Sequence, residues 1–241
     1  MGVHNSKIED TIEELNILNK NLNDFVYRVS HDLRSPLNSI KALVSFIEQE
    51  STEKSTLEYL KMIKNSIYRL DESIKNNLKY SRNIFSELEL CEISLEKSFK
   101  DAIDLFYSKI KIARINIQID IDQQGVFFSD KLRLNSLLEN LIDNAIKYQK
   151  KDEINKTIII KGICDDQKFR FVITDNGIGI SPVYHDKIFE MFFRLPGLVE
   201  GSGIGLYIVK QTVETLQGYI EVKSEEENGT SVIVELKNFK Q

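Results

Sequence analysis

Apolar residues recur every seven positions over about residues 7–49, and this repeat restricts the segment to a helix with one apolar seam. Two rows, offset by four residues, make up the seam: Ile8, Leu15, Leu22 and Val29, and Ile12, Val26, Leu33, Ile40 and Ile47. Such a helix would be about 65 Å long. A helix of this length is stable only when its seam packs against another helix.

A second helix of the same kind follows a polar turn at residues 50–55. Its apolar stripe has the three-then-four spacing of a bundle helix and consists of Leu57, Leu60, Ile63, Ile67, Leu70, Ile74 and Leu78. The two helices are therefore expected to form an antiparallel hairpin. A lone hairpin leaves each stripe half covered, so we predict that two copies of the chain form a homodimeric four-helix bundle.

Glycine is distributed unevenly, which indicates two domains of different architecture. The first 161 residues contain only Gly2 and Gly125, whereas six glycines lie between residues 177 and 205: Gly177, Gly179, Gly197, Gly201, Gly203 and Gly205. From about residue 90 the pattern alternates between helices and β-rich segments, which is typical of an α/β domain. We expect an N-terminal extension of the first helix over 1–23, the hairpin domain over 24–86 and the α/β domain over 90–241.

Within the α/β domain the sequence predicts six strands and three helices. The strands are expected at Glu92–Leu95, Ile115–Ile121, Thr157–Cys164, Phe169–Thr174, Tyr219–Ser224 and Ser231–Leu236, and the helices at Glu96–Lys109, Lys131–Gln149 and Gly203–Leu216. Asn228-Gly229 is a type I′ hairpin signal, and Gly218 is expected to cap the last helix.

Charge and composition exclude several classes of protein. The net charge of -5 and the pI of about 5.4 argue against nucleic acid as the main partner, because such surfaces need excess Lys and Arg. Cys91 and Cys164 lack neighbours at metal-ligand spacing, so we expect two reduced, buried thiols. No apolar run approaches a membrane span, and the N-terminus is too polar for a signal peptide. We therefore expect this segment to be soluble and cytoplasmic and to make no membrane contact. This expectation also holds if the segment is the cytoplasmic part of a membrane-anchored protein.

The segment SHDLRSPL, residues 30–37, places a histidine beside an acid within the long helix. His31 lies between Val29 and Leu33, two residues from each, so it should face solvent opposite the seam. Asp32 can hold the Nδ1 proton, which leaves Nε2 as the nucleophile. Pro36 removes a helical hydrogen bond and predicts a bend just after the histidine. Taken alone, an exposed His–Asp pair is more often only a solvated surface pair.

The segment ENLIDNAIKY, residues 139–148, places Asn140, Asn144 and Lys147 on one helix face. This face offers amide oxygens to a hard cation and an ammonium group to phosphate. Tyr148 adds an aromatic ring at the helix end. Considered alone, the same pattern equally describes the polar rim of a buried helix.

Two glycine-rich segments follow. In DNGIGI, Asp175 can accept a hydrogen from a base amino group, and Gly177 and Gly179 permit a tight turn close to a ligand. In GSGIGL, residues 201–206, the last residues open a helix whose free N–H groups suit a phosphate. Between them lies IFEMFFR, whose aromatic residues either cap the core or anchor a mobile lid that carries Arg194. Each of these segments is weak evidence alone.

In this order and at these separations, the motifs resemble the H, N, G1, F and G2 boxes of bacterial two-component sensor histidine kinases. The resemblance covers the chain from about residue 24 to residue 236. It implies a dimerising, phosphoaccepting hairpin followed by a two-layer α/β sandwich of the ATP-binding type shared with gyrase and Hsp90 (the Bergerat or GHKL type). It implies ATP-dependent autophosphorylation of a histidine, with Mg²⁺ as cofactor. It also implies phosphotransfer to an aspartate in the receiver domain of a response regulator, in two-component signal transduction.

The resemblance also implies a role for each matching residue. The catalytic positions are His31, the phosphoacceptor, and Asp32, which assists it. Asn144 corresponds to the Mg²⁺ ligand and Asp175 to the adenine-recognising acid, and Arg194 corresponds to the lid cation that meets the γ-phosphate. The other nucleotide-contacting positions are Asn140, Lys147, Tyr148, Gly177, Gly179, Gly201, Ser202, Gly203, Gly205 and Leu206. Ser35 stands where many relatives carry Thr or Asn to position water for dephosphorylation of the partner.

Three other hypotheses about function remain open from the sequence. An ATP hydrolase of the gyrase and Hsp90 kind uses a glutamate to activate water, whereas the corresponding position here is Asn140, which cannot accept a proton near neutral pH. A serine kinase of the anti-sigma type would share the pocket but lack the histidine-bearing hairpin. A non-catalytic interaction module would signal by dimerisation alone.

Overall fold

The computed structural model describes residue 33 and residues 36–85, 87–196 and 203–240. The chain divides into two compact units, with the boundary between residues 86 and 87. The heptads before Leu33 and the extension predicted over 1–23 lie outside the described residues. Among the helices that the structure describes, none is both long and apolar enough to cross a bilayer.

The first unit contains a helical hairpin, as predicted. Residues 36–50 are helical (α1), and the second helix, α2, spans Lys54–Phe85. Leu37 and Val44 of α1 are buried together with three residues of α2, namely Leu60, Ile67 and Ile74. The ion pairs Lys41–Asp71, at 2.8 Å, and Glu48–Lys64 connect the two helices, and their order along the chain shows that α1 and α2 are antiparallel.

The predicted apolar row of α1 is not the face that packs on α2: its described members are exposed, and Leu37 and Val44 are buried instead. The predicted stripe of α2 is half buried over its described side chains. On α1, Ile40 is 44% exposed and Ile47 is 49% exposed; on α2, Ile63 is 44% exposed and Leu70 is 50% exposed. The side chain of Leu78 lies outside the described residues. These exposed apolar side chains lie seven residues apart on each helix and leave a second apolar face on the hairpin, which is what a partner helix pair needs.

The second unit is an α/β domain, as the sequence predicts. Its elements are β1 (Leu90–Ile93), α3 (Leu95–Leu105), α4 (Tyr107–Ala113), β2 (Asn116–Gln123), β3 (Phe127–Asp130), α5 (Lys131–Lys147), β4 (Thr157–Cys164), β5 (Lys168–Asp175), two short 3₁₀ helices (Pro182–Tyr184 and Lys187–Phe189), α6 (Gly205–Thr215), β6 (Tyr219–Ser224) and β7 (Thr230–Lys237). Five strands form one sheet in the order β2-β4-β5-β7-β6, and β1 pairs with β3 in a separate ribbon. Only the β2–β4 pair in the five-stranded sheet is parallel.

The core lies between the five-stranded sheet and a layer made by α3, α5 and α6. Alternate strand residues point into it, because successive side chains of a strand face opposite sides of the sheet. Phe99 of α3 meets Phe171 of β5 edge to face, with ring centroids 5.5 Å apart, and Phe169 stacks on Phe171 at 5.0 Å. The architecture is therefore a two-layer sandwich whose helical layer includes the predicted motif helices α5 and α6.

Four local predictions were wrong. The first strand is Leu90–Ile93 rather than Glu92–Leu95, because Ser94 caps α3 by accepting a hydrogen bond from the Lys97 N–H. The short strand β3, Phe127–Asp130, was not predicted. The predicted helix Glu96–Lys109 is two helices, separated at Phe106. Cys91 is exposed; only Cys164 is buried.

The two predicted turn signals at the end of the chain also need correction. A type I′ turn needs positive φ at both central residues, but the positive φ values of this loop belong to Glu227 (64°) and Gly229 (81°). At the end of α6 the left-handed residue is Gln217, with φ 52°, and Gly218 follows it. The Gly218 N–H donates to the Val213 carbonyl at 2.8 Å, which completes a Schellman cap.

Candidate functional site

A cavity in the α/β unit brings together residues from all of the predicted motifs of that unit. It lies between α5, α6 and strands β5, β6 and β7. Six of the predicted nucleotide-contacting residues line it: Asn144, Tyr148, Asp175, Gly179, Arg194 and Leu206. Because these residues are far apart in sequence, the fold rather than any local segment creates the site.

Asp175 is the acid that lines the cavity; it is half-buried and ends strand β5. Burial raises the pKa of its carboxyl group from 3.8 to about 6, and hydrogen bonds from the backbone N–H groups of Gly177 and Thr230 oppose this rise. The Gly177 N–H lies 2.8 Å from Oδ1. The side chain is therefore held in place, and at neutral pH its carboxylate is a hydrogen-bond acceptor inside the cavity.

The turn after Asp175 accepts only glycine at two positions. A Cβ at Gly177 would lie 2.3 Å from the Tyr148 carbonyl oxygen, and one at Gly179 would lie 1.9 Å from the Glu225 carbonyl oxygen. Gly179 also has a φ of 68°. Ile178, between them, donates its N–H to the Tyr148 carbonyl at 2.9 Å. The turn is thus pressed between the end of α5 and the β6–β7 loop, where it forms the floor of the cavity.

The remaining walls beside Asp175 are mostly apolar. They are formed by Leu141, Ala145, Ile173, Ile180, Ile188, Phe193, Leu195, Val222 and Val232. This apolar part of the cavity, with the Asp175 acceptor beside it, suits a flat ring that carries an amino group, because the walls cover the ring faces and the acceptor fixes its orientation.

The polar side of the cavity contains Asn144 and Arg194. Asn144 projects from α5 three residues before Lys147, whose Nζ lies 3.1 Å from the Tyr148 hydroxyl and 4.7 Å from the centre of its ring. Tyr148 lines the cavity, whereas Lys147 lies beside it. An amide oxygen with two cationic side chains nearby is a donor set that suits a phosphate chain and a hard cation.

Asn140 does not line the cavity but borders the start of α6. Its Nδ2 donates to the Ser136 carbonyl at 2.7 Å, and a Cβ at Gly205 would lie 3.0 Å from its Oδ1. Gly203, with φ 72°, accepts a hydrogen bond from the Phe192 N–H at 3.0 Å. Asn140, Gly203 and Gly205 therefore surround the N-terminus of α6, next to Leu206 of the cavity.

Four predicted site residues, His31, Asp32, Gly201 and Ser202, lie outside the described residues.

Family comparisons agree with this arrangement. Residues 129–239 match the histidine kinase-, DNA gyrase B- and HSP90-like ATPase family, and residues 21–84 match the His Kinase A (phospho-acceptor) domain family. Together the two matches include every motif described above. The chain belongs to the sensor histidine kinase family.

Named histidine kinases are similar over most of this chain. The methanogenesis regulatory histidine kinase FilI of Methanothrix harundinacea is 31% identical over 95% of this chain and 26% of its own length. An uncharacterized sensor-like histidine kinase, ycf26 of Porphyra purpurea, is 32% identical over 95% of this chain and 38% of its own length. The chain thus spans between about a quarter and two fifths of these histidine kinases.

Solved histidine kinase structures share the fold. Full-length ShkA in complex with AMPPNP matches 88% of this chain and 45% of its own, with a TM-score of 0.69 at 22% identity. The histidine kinase ThkA in complex with the response regulator protein TrrA matches 89% of this chain and 61% of that chain, with a TM-score of 0.60 at 26% identity.

Two residues that line or support this cavity, Thr230 and Asn176, were not predicted from sequence. Thr230 lines the cavity and pairs with Asp175 across β5 and β7. Asn176 accepts a hydrogen bond from the Thr157 N–H at 2.8 Å and donates to the Asn155 carbonyl at 2.7 Å, so it fixes the start of the glycine turn to β4. Asn176 could have been found from its position in the DNG motif, next to Asp175. No local pattern marks Thr230, because its place beside Asp175 depends on strand register.

Proposed function

We propose that this chain is a protein-histidine kinase: it binds Mg-ATP in the α/β unit, phosphorylates His31 and passes the phosphoryl group to an aspartate of a response-regulator receiver domain. The observation that carries the proposal is the single cavity where Asn144, Tyr148, Asp175 and Arg194 meet. We assign residues 24–86 to dimerisation and phosphoacceptance and residues 90–241 to catalysis.

In this proposal the base of ATP lies against the apolar walls. The Asp175 carboxylate accepts a hydrogen from the adenine amino group, and the Gly177–Gly179 turn lies beneath the ring. Tyr148 closes one side of the nucleotide. The phosphate chain then extends towards Arg194 and the N-terminus of α6, where the positive end of the helix dipole favours negative charge.

The donor set also suits Mg²⁺. Asn144 offers a neutral amide oxygen, and Mg²⁺ in phosphoryl-transfer sites usually takes few protein ligands and completes its coordination with phosphate oxygens and water. An ion held there would neutralise charge on the phosphate chain. Lys147 and Arg194 add positive charge beside the phosphates. The remaining contribution of the protein to catalysis is to position the reacting groups.

The chemical step joins His31 to the terminal phosphorus. Nε2 of His31 attacks in line, its bond to phosphorus forms, and the bond from phosphorus to the β,γ-bridging oxygen breaks to release ADP. Asp32 holds the Nδ1 proton, so that the Nε2 lone pair is available and the phosphoimidazole is stabilised. The phosphoryl group then moves to an aspartate carboxylate of the partner and restores neutral His31.

Dimerisation through the hairpin is part of the proposal. The exposed apolar residues Ile40, Ile47, Ile63 and Leu70 lie on a face that the protomer itself does not cover. A second hairpin packed on this face would complete a four-helix bundle core. The same stalk would present His31 to the receiver domain.

Labelling with γ-labelled ATP and Mg²⁺ tests the kinase activity. The wild-type chain should acquire a label that is labile in acid and stable in base, and His31→Gln should lose it. His4→Gln is the matched control, since the chain has three histidines and His4 is not assigned a role.

The same experiment separates the alternatives. Steady phosphate release that persists in His31→Gln would support the hydrolase, and acid-stable label would support the serine kinase. Absence of both label and phosphate release, with ATP bound or unbound, would support the interaction module. Transfer of label from the phosphorylated chain to a receiver domain tests the second step.

A further inference from the structure

A buried ion pair in the α/β unit lies far from the nucleotide cavity. Asp130 and Arg133 are each 2% exposed, and the Arg133 guanidinium donates to the Asp130 carboxylate. Neither residue lines the cavity. Arg133 lies in the first turn of α5, and Asn144, eleven residues later, lies about 16 Å further along the helix.

The pair is connected to the chain segment that joins the two units. The Arg133 guanidinium donates to the Glu87 carbonyl at 3.2 Å, and the Glu89 N–H donates to Oδ2 of Asp130 at 3.2 Å. Residue 90 then begins β1, where Leu90 pairs with Asp130 itself. Residues 87–90 are thus attached to the ion pair at three successive points, beginning two residues after the end of α2 at Phe85.

Stability alone does not account for an ion pair at this place. Two buried charges lose their hydration, and an apolar pair of similar volume is often at least as stable. An apolar pair, however, could neither donate to the Glu87 carbonyl nor accept from the Glu89 N–H. Asp130 also caps α5 through the Arg133 N–H at 2.9 Å, so the connecting segment and the helix that carries Asn144 share one anchor.

We propose that Asp130 and Arg133 are positioning residues, which anchor the connecting segment, residues 87–90, to α5. This inference rests on the proposed function, because fastening residues 87–90 would limit the paths by which ATP on one unit reaches His31 on the other. Loss of the anchor leaves the nucleotide site intact and makes productive approach rarer. A misplacement of about 1 Å in such a reaction lowers its rate by about a hundredfold.

The test uses the double variant Asp130→Asn, Arg133→Met in the full chain. Asn remains a good helix cap, and removing both charges together avoids leaving one of them buried and unpaired. The control is Lys168→Met, Glu235→Gln, which removes an exposed ion pair with a separation of 3.0 Å from the same unit. Three quantities are measured: the Kd for ATP, the single-turnover rate of His31 phosphorylation at saturating ATP, and amide hydrogen exchange of residues 87–90.

We expect the double variant to bind ATP within about twofold of wild type, because distant sites act independently. Exchange at residues 87–90 should accelerate, and phosphorylation should slow by at least about tenfold. The control variant should match wild type in all three. Unchanged exchange, an unchanged rate, or a rate loss that parallels a loss of ATP binding would each overturn the inference. If wild type itself forms no phosphohistidine, the proposed function fails, while the exchange data still decide whether the pair anchors the segment.

Discussion

The chemistry proposed for this chain depends on a few side chains whose surroundings differ sharply from water. Asp175 is the clearest, because burial raises the pKa of its carboxyl group to about 6 while two backbone N–H groups hold it in place. Sequence identified this acid from the DNGIG motif, but its burial and its pairing with Thr230 depend on strand register, which no local pattern reveals. Motif residues can be predicted because the chemistry at each position requires one particular functional group, so few residue types can stand there.

The pKa of Asp175 predicts how the stability of the nucleotide-free protein responds to pH. In the unfolded chain this carboxyl group has its usual pKa of 3.8, so below about pH 4 it is protonated in both states and costs nothing. As the pH rises towards 6 the unfolded state ionises first, and folding becomes less favourable by up to about 3 kcal/mol. Asp175→Asn should therefore unfold at a higher temperature than wild type at pH 7, with the difference shrinking towards pH 4.

Thermal unfolding of both proteins across pH 4–8, without nucleotide, measures this difference. Asp165→Asn is the control, because hydrogen bonds from the Lys168 and Gln167 N–H groups lower the pKa of that exposed carboxyl group rather than raise it. A difference between Asp175→Asn and wild type that is constant with pH would contradict a raised pKa. Loss of ATP binding in Asp175→Asn at pH 7, despite its higher stability, is expected in parallel.

Asn144 is predicted to set the requirement for Mg²⁺. Asn144→Ala removes the only protein oxygen assigned to the ion, so the Mg²⁺ concentration for half-maximal phosphorylation should rise by at least about tenfold. Asn144→Asp retains a side-chain oxygen, so its Mg²⁺ concentration for half-maximal phosphorylation should rise less. Titration of the phosphorylation rate with Mg²⁺ measures this, with the exposed Asn116→Ala as control. An equal requirement in Asn144→Ala and wild type would remove Asn144 from the metal site.

At the scale of elements, long periodic segments were predictable and short ones were not. The stripe of α2 and the motif helix α5 were found because apolar spacing repeats over several turns. Strand β3 has four residues, too few for a period, and it exists because it pairs with β1. The loop at Glu227 likewise depends on a tertiary contact, since the Glu227 N–H donates to the Ile178 carbonyl at 2.8 Å, and Phe106, where the helix breaks, packs against the core.

The half-covered hairpin predicts that a single charge on its outer face prevents dimerisation. Ile63→Glu would bury a carboxylate in each half of the bundle, and a cost of about 3 kcal/mol would weaken the dimer by more than about a hundredfold. Asn65→Glu is the control: it adds the same charge at an exposed position about 200° round α2. Sedimentation equilibrium should find Ile63→Glu monomeric and Asn65→Glu dimeric. A dimeric Ile63→Glu would place the interface elsewhere.

At the scale of the whole molecule, the proposal gives the two units different halves of one reaction. The α/β unit contains the nucleotide cavity, and the hairpin contains the segment with the histidine. Their sequence signals differ in kind, since heptads predicted the hairpin and glycine-rich motifs predicted the cavity. How the connecting segment is fastened could not be predicted, because the bonds from Asp130 and Arg133 go to backbone atoms and leave no sequence pattern.

The most direct test of the account is to locate the phosphoryl group after the intact chain reacts with Mg-ATP. Fragmentation mass spectrometry at neutral to basic pH, which preserves phosphohistidine, should find it on His31 of the wild-type protein. Phosphorus NMR of the same sample should report a phosphoimidazole nitrogen. A phosphoryl group on serine, on threonine or on another histidine, or consumption of ATP with none on the protein, would contradict the account.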